Sequence, residues 1–182
     1  MLGSVAVSLC AAGYFGYTLC FAMPAITALL HTQNDALRLG RCLETLYPCE
    51  HILVVDHGSR DETVSVAREY GARVVDAVPG ASPAQYFRSS DPGWIFCLDP
   101  HESVSESLAA SLYECKAQPA GIPPTPAFSV FLREEREEGW IQVPVAQTRL
   151  VPPDWNRWER GFPSADPSAL TLEGELLRFV FP

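Results

Sequence analysis

Two rhythms of apolar and polar residues organise the first two thirds of this chain. Residues 25–30, 51–56, 72–75 and 93–99 are short, nearly continuous apolar runs, and such runs mark strands buried on both faces, as in a parallel sheet. Between them the spacing changes to that of a helix. Leu39, Cys42, Leu43 and Leu46 recur on one face over residues 36–46, and Asn34 or Asp35 stands where a helix N-terminus takes a cap. Val66, Ala67 and Tyr70 share a face over residues 62–70, and Gly71 follows where a helix ends in a left-handed residue. The order strand, helix, strand, helix, strand, loop, strand predicts an α/β fold with right-handed crossovers. A further helix is expected over residues 103–116, capped by Ser103 or Ser105, with Leu108, Leu112 and Cys115 on one stripe.

The later part reads differently. Residues 118–126 form a proline-rich break, and residues 128–133 and 140–145 read as a hairpin around the charged turn 134–139. Residues 148–151 and 172–180 offer two more short apolar segments. This predicts three parts: a hydrophobic segment over 1–22, an α/β half over 23–116, and a proline-rich break with a small β cap of the same domain over 117–182.

Composition narrows the picture. At 182 residues and 47% hydrophobic side chains the chain suits one folded domain. A formal charge of −9 argues against nucleic acid as a partner. The six cysteines form no CxxC pair and no zinc spacing, which predicts reduced thiols and a cytoplasmic setting. No charged residue occurs from Met1 to Leu30, but Gly3, Gly13 and Gly16 dilute the apolar character and Pro24 interrupts it. The segment is therefore expected either to be a membrane-associated helix, holding the domain at the inner face of the membrane, or to be a non-native upstream extension.

Two of the expected strands finish on a carboxylate, Asp56 and Asp99. Open α/β sheets place their ligand crevice at strand carboxyl ends, so the two acids are expected to meet there, on neighbouring strands.

The surrounding residues carry a resemblance. Val54-Val-Asp-His-Gly-Ser-Arg-Asp-Glu-Thr-Val64 resembles the VVDDGSxDxT segment of family-2 glycosyltransferases, and His31-Thr-Gln-Asn34 resembles their T-x-N-E loop. Gly40 to Leu46, Tyr70 to Val75 and Trp94 to Ser105 match further motifs of that family, in order, across about half the chain. The closest subgroup is the lipopolysaccharide-core glucosyltransferase-like branch. The resemblance implies a GT-A fold: a mostly parallel sheet flanked by helices, here with a short β-rich C-terminal part. It also implies transfer of a sugar from a nucleoside-diphosphate sugar to a hydroxyl of a glycan or lipid-linked acceptor. Thr32, Asn34, Asp56, Gly58, Ser59 and Asp99 would then hold the nucleotide sugar. Asp99 and His101 would occupy the DxD position, which holds a divalent cation, manganese or magnesium.

The match has departures. His101 stands where the second carboxylate of DxD would be, and magnesium prefers oxygen to imidazole. Glu102 is a candidate to compensate. No catalytic base stands out, with Asp154, Glu159 and Glu173 eligible by type alone. Each residue also has a plain structural reading: Asp56 and Asp99 as turn formers, Trp155 and Trp158 as core edge instead of a sugar platform, residues 134–138 as a solvated tip. The alternative function is a degenerate, non-catalytic GT-A-like binding or scaffold module.

Overall fold

In the computed structural model, residues 25–87, 93–117 and 127–181 are described. The expected N-terminal segment and the proline-rich break at 118–126 lie outside the described residues. Among the described residues no helix is long and apolar enough to cross a membrane.

The first four strands are β1 (Ile26–Thr32), β2 (His51–Asp56), β3 (Arg73–Asp76) and β4 (Trp94–Leu98), with α1 (Ala36–Glu44) and α2 (Thr63–Glu69) as crossovers. They pair in parallel in the order β3-β2-β1-β4. β1 is flanked on both sides and is buried almost throughout, which is why Ile26 to Leu30 is apolar except at Thr27. Asp56 and Asp99 therefore do not end neighbouring strands, because β1 lies between β2 and β4.

Residues of the second half join the same sheet. A short β5 (Glu102–Val104) precedes α3 (Glu106–Ala117), and then come β6 (Phe128–Arg136), β7 (Gly139–Gln142), β8 (Gln147–Val151) and β11 (Leu170–Arg178). The path continues β4-β8-β6-β11-β5, with β7 paired to β6. β6 and β11 run with the parallel group, and β5, β7 and β8 run against it. A two-stranded ribbon, β9 (Trp158–Glu159) and β10 (Phe162–Pro163), stands apart.

Three boundaries differ from the sequence expectation. The helix expected from residue 103 starts three residues later, because Glu102–Val104 pairs with β11 as a strand. Ser105 is its cap, its Oγ accepting the amide of Leu108 at 3.2 Å. The hairpin exists, but β6 runs to Arg136 and β7 stops at Gln142.

Alternate residues of the central strands feed two cores. Ile26, Ala28 and Leu30 pack with Leu39, Cys42 and Leu43 of α1 and with Leu108 and Leu112 of α3. Leu29, Leu53, Val55, Ile95 and Cys97 face the other way and are covered by Val151 and Trp155, with Tyr86, Phe87, Trp158 and Phe162 at the margin. Full burial of each leucine stabilises by roughly 1.5–3 kcal/mol over exposure. Trp155 is 7% exposed and donates its Nε1–H to the Arg157 carbonyl, which makes it core edge and not a stacking surface. Among the described residues Cys42, Cys49, Cys97 and Cys115 are free thiols. Burial pushes Cys49 and Cys97 up to about 12, so neither is a nucleophile near neutrality.

Candidate functional site

All four parallel strands end on the same edge, and the loops leaving them are tied to one another. The loop after β1 crosses to the loop after β2. Asn34, in a left-handed conformation at φ 59°, donates its amide to Ser59 Oγ at 2.9 Å and accepts the Arg60 amide on its Oδ1 at 2.8 Å. Asp61 accepts the amide and hydroxyl of Thr63 and the amide of Ala36, so it links the starts of both helices.

Asp56 is 5% exposed. Its carboxylate accepts the amides of Gly58 and Ser59 and, at 2.5 Å, the Ser59 hydroxyl. Gly58 takes φ 82°, which the tight turn requires and a side chain would resist. Asp56 thus holds the His57-Gly58-Ser59 turn, and it also contributes to a crevice wall.

That crevice has a volume of about 760 Å³. His31, Asp56, His57, Gly58 and Asp76 line it from the ends of β1, β2 and β3, and Tyr86, Arg160 and Gly161 contribute to the same lining. Arg160 and Gly161 form the turn of the β9–β10 ribbon, so Glu159 stands next to this wall. Thr32, Asn34, Ser59 and Asp99 are not among the lining residues. Thr32 is 2% exposed and donates its hydroxyl to Asp35 Oδ2 at 2.8 Å.

The pair His31 and His57 was not singled out from the sequence. His31 Nδ1 lies 3.0 Å from His57 Nε2, so one proton is shared between them. Burial, and then the neighbouring His57, lower the pKa of His31 to about 4. The sign follows from linkage: the unfolded chain takes up this proton near pH 6.5 and the folded chain only near 4, so stability is full above pH 6.5 and falls on acidification through that window. Because the ring is only partly buried and solvent screens part of the effect, the loss due to His31 is expected to be about 1–2 kcal/mol. Urea unfolding at pH 7 and pH 4.5 measures it, and His31→Gln is expected to shrink the difference between the two pH values by that amount. An unchanged difference would remove His31 as the cause.

Across β1 lies the second part of the site. Asp99 follows β4, its amide donates to Glu102 Oε2 at 2.9 Å, and its Oδ1 accepts the amide of His101 at 2.9 Å. The His101 ring sits between two carboxylates, with Nε2 3.2 Å from Asp35 Oδ1 and Nδ1 3.9 Å from Asp99 Oδ1. Asp35, expected at most to cap α1, makes no side-chain cap bond. Its carboxylate turns to Thr32, Gln33 and His101.

Glu102 is fully buried beneath the loop. Its Oε1 accepts Arg149 at 2.8 Å and Arg178 at 2.7 Å, and its Oε2 accepts the Asp99 amide. It therefore fixes the backbone of the loop and offers no compensating metal ligand. β11 braces the same loop from outside, where the Phe179 amide donates to the His101 carbonyl at 2.9 Å.

Among the described residues no cluster of three or more His, Cys, Asp and Glu is placed to hold a metal ion. Asp99 and His101 make a two-donor set, one carboxylate oxygen and one imidazole nitrogen, 3.9 Å apart. Such a set fits manganese or zinc better than magnesium, and leaves the other coordination positions to oxygens of a bound ligand. Of the candidate bases, Asp154 is exposed, and Glu173 lies beside α3, where its carbonyl accepts the Ser111 hydroxyl.

A sheet ordered β3-β2-β1-β4, continued by a mixed half, with its crevice at the carboxyl ends, is the GT-A fold of nucleotide-diphospho-sugar transferases. A mannosyltransferase from Pyrobaculum calidifontis, solved with GDP-Man and Mn2+, matches 87% of this chain and 57% of its own, with a TM-score of 0.54 and 12% identity. TarS 1-349 of S. aureus covers 84% of the chain and 57% of its own with a TM-score of 0.44 and 14% identity. In sequence, a 4,4'-diaponeurosporenoate glycosyltransferase of Staphylococcus aureus is 37% identical over 75 residues, 40% of this chain. The chain spans only 20% of that relative's length. No protein-family model matches.

Proposed function

We propose that this chain binds a nucleoside-diphosphate sugar at the carboxyl edge of its parallel strands and transfers the sugar to an acceptor hydroxyl. The observation that carries the reading is the crevice of about 760 Å³ at the ends of β1, β2 and β3, with the Asp99–His101 loop at the end of the next strand. A base and ribose would enter between His31, His57, Asp76 and Tyr86, and the Asp56 turn would present Gly58 to the nucleotide. Thr32, Asn34 and Ser59 would act by holding the loops that form the crevice. Asp99 and His101 would hold a divalent cation. Bound there, the cation would supply Lewis-acid stabilisation of charge on the departing nucleotide.

The acceptor in this reading is a glycan or lipid-linked sugar of the cell envelope, and the nearest subgroup is the lipopolysaccharide-core glucosyltransferase-like branch. The protein would work in the cytoplasm, at the inner membrane face if the N-terminal segment associates with lipid. Residues 23–182 would act as one domain, because β6, β8 and β11 complete the sheet that β1 to β4 begin.

Isothermal titration with UDP and with GDP, each in the presence of Mn2+, tests the proposal. Binding of one of them is expected, and Asp99→Ala is expected to weaken it about tenfold or more, a loss of roughly 1.4 kcal/mol or greater. Absence of binding to both nucleotides by the folded wild type would falsify it. One observation favours a second reading, a non-catalytic binding module: among the described residues, the hydrogen bonds of the Asp56 carboxylate all go to its own turn. His101→Asp separates the two, since a latent enzyme gains metal-dependent hydrolysis of the sugar nucleotide and a binding module stays inert.

A further inference from the structure

The position of the proton on His101 follows from its surroundings. Asp35 Oδ2 accepts the Thr32 hydroxyl at 2.8 Å and the Gln33 amide at 2.9 Å, and Oδ1 faces His101 Nε2 at 3.2 Å. The amide of Asp35 donates to Thr63 Oγ1 at 2.8 Å, which pins its backbone to the start of α2. The Asp35 side chain is 15% exposed and that of His101 34%, so the contact is partly shielded from water. An ionised carboxylate only accepts hydrogen bonds, so the hydrogen between the two groups belongs to Nε2. A neutral imidazole has one ring proton, and its Nδ1 is then a bare lone pair on the side of Asp99.

We infer that Asp35 is a positioning residue that fixes the Nε2–H tautomer of His101, so that Nδ1 and the Asp99 carboxylate form a nitrogen–oxygen pair selective for a borderline cation such as Mn2+ over Mg2+. The inference rests on the proposed cation role of the Asp99–His101 loop, and it adds a residue and a metal preference to it. Two donors that each sit about 2 Å from a shared ion stand some 3–4 Å apart, and the 3.9 Å between Nδ1 and Oδ1 falls within that span. A carboxylate on the far nitrogen of a ligating histidine both orients the ring and raises its basicity. Magnesium gains little from a nitrogen donor, so the preference follows from the pair and not from overall charge.

Asp35→Asn keeps the shape of the residue and reverses its polarity on one side. The Thr32 hydroxyl and the Gln33 amide both need an acceptor, so the new amide oxygen stays with them. Its NH2 then faces His101 Nε2, which must accept, and the proton moves to Nδ1. Long-range 1H–15N NMR on the free protein reads the tautomer directly. Nε2–H is expected in the wild type and Nδ1–H in the variant. Titration with Mn2+ alone, followed by paramagnetic broadening of the His101 ring signals against those of exposed His51, is expected to need about 10–100-fold more metal in Asp35→Asn. Mg2+ added as a competitor is expected to restore the wild-type signals only in large excess.

A wild type with Nδ1–H overturns the inference, whether or not the variant folds. So does an unchanged Mn2+ requirement in a variant whose tautomer has reversed, or equal competition by Mg2+. None of these readings uses a nucleotide. Failure of UDP and GDP to bind therefore bears on the proposed function, while the tautomer and the metal titration bear on Asp35.

Discussion

Replacing Glu102 by alanine is expected to lower folding stability by about 3–5 kcal/mol, measured by urea unfolding at pH 7. The carboxylate is fully buried and accepts from two guanidiniums, those of Arg149 and Arg178, and from the amide of Asp99. Arg149 is itself 3% exposed, and its other bonds go to the Gln147 side chain and the Cys97 carbonyl. Without the acid, a buried positive charge is left without its counterion, and a backbone donor at the loop loses its acceptor. Glu102→Gln keeps the volume and should recover only part of the loss, because an amide replaces the charge but offers one acceptor oxygen in place of two. A loss below about 1 kcal/mol for the alanine variant would show that the pair is far better solvated than its burial implies. The consequence for the proposed cation site is local: Asp99 is released from one side, so the Mn2+ concentration that the loop would need is expected to rise together with the loss of stability.

Gly174→Ala is expected to cost about 3 kcal/mol or more, seen as a fall in the thermal midpoint at unchanged unfolding cooperativity. Gly174 takes φ 91° at the irregularity between Thr171 and Glu175, where β11 shifts register against β6. A Cβ built on it would lie 2.2 Å from the amide nitrogen of Leu108 and 2.6 Å from its Cα, both backbone atoms of α3. Backbone cannot give way as a flexible side chain does, so the helix and strand must separate. The strain of a positive φ is added to that. The separation also matters for the site, because Arg178 at the end of β11 and Phe179 just beyond it hold Glu102 and the His101 carbonyl. A variant as stable as wild type to within about 1 kcal/mol would mean that α3 and β11 are not held at this distance.

How much of this was legible in the chain varies by region. The four central strands and the two crossover helices were, because strands of a parallel sheet carry short, mostly continuous apolar runs, and α1 shows Leu39, Cys42 and Leu43 at helical spacing. Short elements were not. Glu102–Val104 has the composition of a helix start and becomes β5 only because Leu176, Leu177 and Arg178 arrive to pair with it. The expected β cap turned out to lie within the main sheet, where β8 pairs with β4 and β6 separates β8 from β11.

The site residues divide in the same way. Strand-terminal acids point to a crevice, and Asp99 does stand in a loop at that edge, but the type of residue does not tell which partners it finds. Asp56 spends its hydrogen bonds on the turn that follows it, an outcome decided by three consecutive residues. Asp35 is 66 positions from His101, and His31 is 26 from His57, so neither pair could be read from local spacing. Periodicity speaks to which face of an element meets the core, since burial is a property of each residue and its near neighbours. From that alone, the chain determined a parallel α/β half with acids at its strand ends. Only the tertiary structure decided that β1 separates Asp56 from Asp99, that Glu102 answers two arginines, and that Asp35 grips His101. Contacts between distant segments depend on how strands are ordered in the sheet, and no local pattern carries that information.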